Sequence, residues 1–112
     1  MRPSYPHLHC EITRWIDDEP QPGIVEAVVV DATDRTWRFV EKVAIVDQTG
    51  DAGPTTSYPC PGAIRCEIVD SPSGPGPDAV LLVTTARPDG VEAVDGRTDF
   101  LVRASQVTQV AV

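Results

Sequence analysis

The alternation of apolar and polar positions is clearest in two neighbouring stretches of the chain. Ile24–Val30 is almost continuously apolar and rich in β-branched side chains, and Thr36–Val46 alternates apolar with polar residues. Such side chains favour a pleated strand over a helix. Asp31 and Asp34 lie in the polar segment between them, and an Asp side chain can hydrogen-bond its own backbone in a turn. The pattern therefore predicts a β-hairpin that carries much of the core.

The second arm of this hairpin has one charged residue in its core-facing row. Alternate residues from Trp37 to Ile45 share one face, and Glu41 interrupts this apolar row. A buried charge costs free energy unless it is paired. We therefore expect a β-bulge near Glu41–Lys42 that switches the two faces. The alternative is burial of Glu41 with Lys42 or an arginine as its partner.

Further short stretches of β-type composition are separated by segments rich in proline and glycine. They predict strands at His7–Ile16, Ala63–Val69, Ala79–Ala86, Val91–Val94, Thr98–Ala104 and Gln106–Val112. Ala79–Ala86 is nearly continuously apolar, so we expect a central strand covered on both faces. Thr98–Ala104 is expected to pair with Val91–Val94 across a tight Asp95-Gly96 turn. The chain has 11 prolines and 8 glycines, and these interrupt every window that could form an amphipathic helix.

These elements predict an all-β fold of about seven or eight strands with little or no helix. Few strands are apolar on both faces, which favours an antiparallel β-barrel or rolled sheet around one core, with a small β-sandwich as the alternative. The length of 112 residues predicts a single β domain over 1–112. Residues 1–6 are expected to form an irregular arm, and 47–62 and 70–78 to form long flexible loops.

The formal net charge is −8, which excludes some classes of partner. Nucleic acids and anionic membrane surfaces both require clustered cations, so we expect neither as a partner. The sequence has no apolar run long enough for a transmembrane helix and no signal-peptide centre, which predicts a cytoplasmic location. Three cysteines, an odd number, agree with free thiols in a reducing compartment. An acidic surface suits a basic protein partner, although solubility alone also accounts for it.

Histidine and cysteine side chains are the first candidates for metal ligands. His7 and His9 lie on the opposite face of the first strand from Cys10, so the three cannot converge on one ion. Five residues separate Cys60 from Cys66, which is longer than the usual spacing of zinc ligands. We therefore expect no metal and no cofactor, and we expect the cysteines to be small apolar side chains. A Cys60–Cys66 or Cys10–Cys66 disulfide is the alternative.

Candidate catalytic groups are a thiol and two clusters of carboxylates. Cys60 is held in a loop by the prolines on either side, but no activating base is recognisable beside it. The acidic clusters lack the spacing of a calcium loop, and solvated turn residues are their ordinary interpretation. The clusters are Asp17, Asp18 and Glu19, and Asp89, Glu92, Asp95 and Asp99.

Three functions of different classes follow from these features. The first is a non-enzymatic protein–protein interaction module, monomeric or homodimeric, whose protein partner could be basic. The second is a ligand-binding β-barrel with a pocket near Trp37 and Phe39. The third is an enzyme that uses Cys60 or the clustered carboxylates. Aromatic anchors are frequent in binding sites, so the candidate binding residues are Trp15, Trp37, Tyr58, His7 and His9.

Overall fold

The computed structural model describes residues 5–21, 23–47, 52–73 and 79–109. Its strands are β1 (His7–Asp17), β2 (Ile24–Val30), β3 (Thr36–Lys42), β4 (Cys60–Arg65), β5 (Glu67–Asp70), β6 (Val80–Thr84), β7 (Asp99–Arg103) and β8 (Val107–Thr108). A helical turn, α1, covers Val43–Val46, and a 3-10 turn covers Ala104–Gln106. None of the helices in the described residues is long and apolar enough to span a membrane.

The strands form two antiparallel sheets. The first has the order β3-β2-β1-β4, with the short β8 also paired to β1, and the second has the order β5-β6-β7. The predictions of an all-β fold, of about seven or eight strands and of little helix are confirmed within the described residues. The sheets do not close into a barrel, so the architecture is that of a rolled sheet or sandwich.

The central hairpin forms as the sequence predicts. Its register runs without a break from Ile24 opposite Lys42 to Val30 opposite Thr36. In the turn, the backbone N–H of Asp31 donates to a carbonyl four residues later, and its side chain accepts from two backbone N–H groups. The turn is therefore stabilised by an Asp side chain bonded to nearby backbone, as expected.

The β-bulge predicted at Glu41–Lys42 is wrong. β3 ends at Lys42, and the next four residues form α1, in which the N–H of Asp47 donates to the carbonyl of Val43. Side chains three positions apart share a face of a helical turn, so Val43 and Val46 are both buried. The helical turn, and not a β-bulge, therefore changes which side chains face the core after Lys42. Glu41 lies half-buried just before this turn.

The predicted strand Ala63–Val69 is in fact two strands in different sheets. β4 pairs with β1 in the first sheet, and β5 pairs with β6 in the second. Cys66 lies between them, fully buried, and its N–H donates to the carbonyl of Pro6. Ile64, Cys66 and Ile68 all face the core, so the alternation of buried and exposed side chains continues from β4 into β5. The sequence pattern alone therefore does not reveal the change of sheet.

Two predictions on the second sheet are corrected. Val91–Val94 is not a strand, because its N–H groups donate to carbonyls in three different segments, those of Thr85, Arg97 and Arg38, and form no ladder with one neighbour. As a result β7 pairs with β6 and not with Val91–Val94. β6 is central, as predicted, but its burial alternates, and Leu82 remains partly exposed. The outer face of this sheet is therefore open to solvent at β6.

The remaining predictions concern the chain ends and long loops. Of the predicted last strand Gln106–Val112, the structure has β8 alone, and 110–112 lie outside the described residues. Residues 1–4 of the predicted arm, and 48–51 and 74–78 of the two predicted loops, also lie outside them.

The buried apolar side chains of both sheets form one cluster. Its aromatic part joins the hairpin to β7. The ring of Phe100 lies 5.6 Å from that of Trp37, edge to face, and 5.7 Å from that of Phe39. Offset and edge-to-face contacts are the favourable arrangements of aromatic rings. These contacts fix the ring of Trp37 against the core.

Candidate functional site

An open cleft of about 630 Å³ lies on the outer side of the second sheet. Its floor contains Leu82 and Leu101, which are directly opposite each other on β6 and β7. Arg35, beside the hairpin turn, and Arg97, beside the turn that precedes β7, also line it. The other lining residues are Asp31, Thr33, Gly96, Thr98 and Asp99.

Both arginines of the cleft stack on one tryptophan. The guanidinium carbons of Arg35 and Arg97 each lie 4.6 Å from the ring centre of Trp37. A guanidinium at this distance from an indole is attracted by the ring's quadrupole. The two cations therefore have a common support, although they are far apart in the sequence.

The supporting indole is itself fixed. Trp37 is 6% exposed, and its Nε1 donates a hydrogen bond of 2.7 Å to Oδ2 of Asp31. Its ring meets the edge-to-face neighbour Phe100 in the core. The orientation of the indole is thus fixed by a hydrogen bond to Asp31 and by a ring contact with Phe100, in the absence of a ligand.

Asp31 lines the cleft, but its carboxylate is directed to internal donors. Oδ1 accepts from the N–H and the hydroxyl of Thr33 and from the N–H of Arg35, at 2.7–3.0 Å. Burial acts to raise the pKa of Asp31, but the hydrogen bonds from Trp37, Thr33 and Arg35 outweigh it and lower the pKa to about 2. The carboxylate is therefore ionised and already satisfied at neutral pH.

Arg35 and Arg97 differ from the other arginines that the structure describes. Each of the others has a carboxylate oxygen within salt-bridge distance. Arg14 and Arg38 pair with Glu26, Arg65 with Asp89, Arg87 with Glu67, and Arg103 with Asp34. Among the described arginines, the two of the cleft are left without such a pair. In a chain of net charge −8, unpaired cations at one place are unexpected.

The arrangement can hold an anionic group. Since both guanidinium groups touch the same ring, they are separated by no more than about one Debye length, and their fields add. A planar guanidinium presents paired N–H donors that match the oxygens of a carboxylate or a phosphate. The cleft thus provides two oriented cations above an apolar floor.

The sequence-predicted aromatic residues do not converge on this site. Trp37 supports the cleft from below. Trp15 is half-buried, and its Nε1 donates to Oδ1 of Asp18 at 2.8 Å. The hydroxyl of Tyr58 donates to the carbonyl of Gly53 at 2.7 Å. Trp15 and Tyr58 therefore each have a local structural partner.

The two histidines lie near the beginning of β1. His9 is exposed, and its Nε2 is hydrogen-bonded to the hydroxyl of Thr108 on β8. His7 is directly opposite Thr108 in the pairing of β1 with β8. The histidines therefore lie where the end of the described chain joins the first sheet, and neither lines the cleft.

Sequence reasoning missed both arginines of the cleft. One signal was available, since Arg35 precedes Trp37 by two residues and side chains at this spacing share a face in extended chain. No sequence signal places Arg97 there. It reaches Trp37 because the Asp95-Gly96 turn, with Gly96 at φ 90°, returns the chain across the end of the core.

Cys10 and Cys60 line a second, smaller cleft of about 250 Å³. Burial, with a smaller effect of Cys60, raises the pKa of Cys10 to about 12, and burial together with Asp47 raises the pKa of Cys60. A raised pKa keeps the thiol protonated at neutral pH, which is the opposite of what a nucleophile requires.

The two disulfides considered from the sequence are wrong, because all three cysteines are free. Cys60 begins β4 and Cys66 follows its last residue, so a whole strand of about 3.3 Å per residue separates them. Cys10 pairs with Gly62, also well along β4 from Cys66. Both separations exceed the reach of a disulfide, about 7 Å between Cα atoms.

Besides Asp18, which accepts from Trp15, three carboxylates of the predicted clusters have structural partners. Asp17 and Asp95 each accept a backbone N–H two residues later, as turn residues do. Asp89 forms two hydrogen bonds with the guanidinium of Arg65. Among the described residues, no group of three or more His, Cys, Asp or Glu side chains is arranged to hold a metal ion.

The comparisons with known proteins returned nothing similar to this chain. No family model matches it, and neither the curated proteins nor the solved structures include a match. The function is therefore argued from the cleft itself.

Proposed function

We propose that this chain is a non-enzymatic interaction module that binds an anionic group of its partner in the cleft between Arg35 and Arg97. The observation that carries the proposal is the pair of guanidinium groups, both stacked on Trp37 and both without a carboxylate partner among the residues that the structure describes.

The side chains of Arg35 and Arg97 are preorganised for binding an anion. A free arginine side chain loses rotamer freedom when it binds, at a cost of about 0.5–1.5 kcal/mol. Arg35 and Arg97 already lie against the indole, so part of this cost is met within the folded domain. An anion that joins them also relieves the repulsion between two adjacent cations. Both effects favour binding at this place over binding at an ordinary surface arginine.

The other candidate functions receive less support. The raised pKa of Cys60 weighs against a thiolate enzyme. Phe39 is fully buried and Trp37 nearly so, which leaves little ring surface for a ligand inside the core. A basic protein partner and a homodimer remain predictions from the net charge and the sheet edges. The proposed site itself selects negative charge.

NMR titration of the ¹⁵N-labelled protein tests the proposal, with sodium acetate and inorganic phosphate as separate probes at constant ionic strength. We expect the indole N–H signal of Trp37 and the Nε–H signals of Arg35 and Arg97 to shift saturably. The double variant Arg35→Gln/Arg97→Gln should lose these shifts at Trp37. The variant Arg35→Lys/Arg97→Lys, which keeps the charge, should retain weaker binding because it lacks the planar donors.

The matched control is Arg14→Gln/Arg65→Gln, which removes the same charge from two arginines that do not line the cleft and that pair with carboxylates outside it. It should bind like the wild type. Equal weakening in the control would mean that the net charge alone governs binding. Shifts of Trp37 that persist without Arg35 and Arg97 would also contradict the proposal, as would the absence of a saturable shift with either anion.

A further inference from the structure

We infer that the group bound in the cleft is a carboxylate carried on an apolar chain or side chain. This inference rests on the proposed function, because it specifies the anion that Arg35 and Arg97 hold. Two further features of the cleft support it. These are the leucines of the floor and the carboxylate of Asp99, which line the cleft together with the arginines.

The floor offers an apolar surface next to the cations. Leu82 and Leu101 are directly opposite each other on neighbouring strands, so their side chains lie side by side on the outer face. Leu101 is 40% exposed, and Leu82 is partly exposed. Both line the same cleft as the arginines. A ligand that touches Arg35 and Arg97 with its charged end can therefore cover these leucines with an apolar part.

The charge around the cleft favours a monoanion over a phosphate dianion. Asp99 lies two residues before Leu101, on the same face of β7, and it is exposed. Its Oδ1 accepts a hydrogen bond of 3.2 Å from the hydroxyl of Thr98, and its charge also acts on Arg87. Asp31 and Asp99 offset the two guanidinium charges within the lining of the cleft, so the net charge of −8 of the chain repels a doubly charged ligand more than a singly charged one. A carboxylate carries one charge and fits the planar guanidinium groups.

The chemistry leaves two sources open. A free carboxylic acid with an alkyl or aryl chain presents this combination, and so does a peptide that ends in an apolar residue. In either case the carboxylate lies between the guanidinium groups of Arg35 and Arg97, and the apolar part lies on Leu82 and Leu101.

A titration with four matched probes tests the inference on the full chain. The probes are hexanoate, acetate, hexyl phosphate and hexanol, followed by the same Trp37 and arginine NMR signals. We expect hexanoate to bind at least about tenfold more tightly than acetate, which requires burial of about two of its additional methylene groups. We expect hexanoate also to bind more tightly than hexyl phosphate, and hexanol to give no shift at the arginines.

A variant of the floor separates the apolar contribution from the charge. Leu101→Thr places a β-branched residue, a type that favours strands, at an exposed strand position, so the fold should tolerate it. It should reduce the preference for hexanoate over acetate to about threefold or less. The control is Val69→Thr on β5, a residue that is 51% exposed and does not line the cleft. It should keep the full preference.

The outcomes distinguish this inference from the proposed function. If acetate and phosphate bind but hexanoate is no tighter than acetate, the inference fails and the anion site stands. Tighter binding of hexyl phosphate than of hexanoate likewise overturns the inference alone. If no anion binds, or if hexanol binds as well as hexanoate, both fail.

Two further arms identify the source of the carboxylate. They use an acetylated peptide ending in leucine, once with a free terminal carboxylate and once with an amide. Binding of the free form more tightly than hexanoate assigns the site to peptide C-termini, and binding weaker than hexanoate assigns it to free acids. Equal binding of the amide and the free form overturns the inference, because the carboxylate then contributes nothing.

Discussion

The indole N–H of Trp37 donates a 2.7 Å hydrogen bond to the carboxylate of Asp31, at the opposite end of the hairpin turn. The same carboxylate accepts the backbone N–H groups of Thr33 and Arg35. One side chain thus fixes the turn, the ring on which the cations stack and the backbone of one of those cations. The geometry of the cleft therefore depends on the internal hydrogen bonds of this residue, which also belongs to the cleft lining.

Asp31→Asn should destabilise the protein and weaken anion binding. An asparagine can keep one acceptor oxygen toward the turn, but its amide group then faces the N–H of Trp37. We expect a loss of about 1–3 kcal/mol in the free energy of unfolding, because a buried donor loses its charged acceptor. Chemical denaturation, followed by the fluorescence of the tryptophans, measures it.

Asp34→Asn is the matched control in the same turn. Asp34 has a φ of 65°, which asparagine adopts readily, and its side chain is 80% exposed in a surface ion pair with Arg103. Its removal should cost no more than about 1 kcal/mol. If Asp34→Asn lowers the free energy of unfolding as much as Asp31→Asn does, the turn tolerates no substitution. The hydrogen bond to Trp37 would then not be the cause of the destabilisation in Asp31→Asn.

Acid should destabilise the domain from about pH 4.5 downward. Hydrogen bonds from Arg38, Thr13 and Arg14 lower the pKa of Glu26 from 4.5 to about 2 against the opposing effect of burial. A carboxylate whose pKa is lowered by folding stabilises the native state above its ordinary pKa, and this stabilisation is lost as the pH falls toward the folded value. Thermal unfolding between pH 7 and pH 2 measures the loss.

Glu26→Gln should make the unfolding temperature less dependent on pH in this interval, because the group that must be protonated is gone. The variant should also unfold at a lower temperature than the wild type at pH 7. Glu11→Gln on the neighbouring strand, a residue with no ion pair among the described residues, is the matched control and should keep the loss of stability that protonation of Glu26 causes. If the unfolding temperature of Glu26→Gln depends on pH as that of the wild type does, Glu26 is not the group whose protonation destabilises the protein.

Gly62→Ala should destabilise the first sheet. A Cβ at this position would lie 2.7 Å from the carbonyl oxygen of Val46 and 2.8 Å from the side chain of Ile12, so backbone must shift. Overpacking of this kind costs about 1–3 kcal/mol. At Gly53, in contrast, the nearest atom to an added Cβ is the hydroxyl of Thr56 at 3.9 Å. Gly53→Ala should therefore change the free energy of unfolding by less than about 0.5 kcal/mol, and equal losses in the two variants would contradict the packing argument.

The three thiols should react slowly with iodoacetamide in the native protein. Burial raises the pKa of Cys66 from 9.0 to about 11, which lowers its thiolate fraction near neutral pH about a hundredfold before any steric protection. Cys60 should also react more slowly than a model thiol, since its pKa is raised. Mass spectrometry after timed labelling, native and in denaturant, gives the three rates. Faster labelling of Cys60 than of the model thiol would favour the enzyme over the interaction module.

The sequence determined the local elements of this protein. The bounds of β2 and the Asp31 turn follow from β-branched runs and from an Asp side chain that bonds its own backbone, and both signals act within a few residues. The alternation of β1, with Leu8 and Ile12 inside and His9 outside, is equally local.

Only the tertiary structure decided where these elements meet. At Cys66 the chain crosses from one sheet to the other without any change in the alternation of buried and exposed side chains. Where the sequence pattern predicts a continued strand, α1 buries Val43 and Val46 from one short segment. The cleft is the clearest case, since Arg35 and Arg97 are 62 positions apart and meet on Trp37. Periodicity reports which face of a strand is apolar, but the choice of neighbouring strand and of the residues that share a surface depends on the packing of the whole chain.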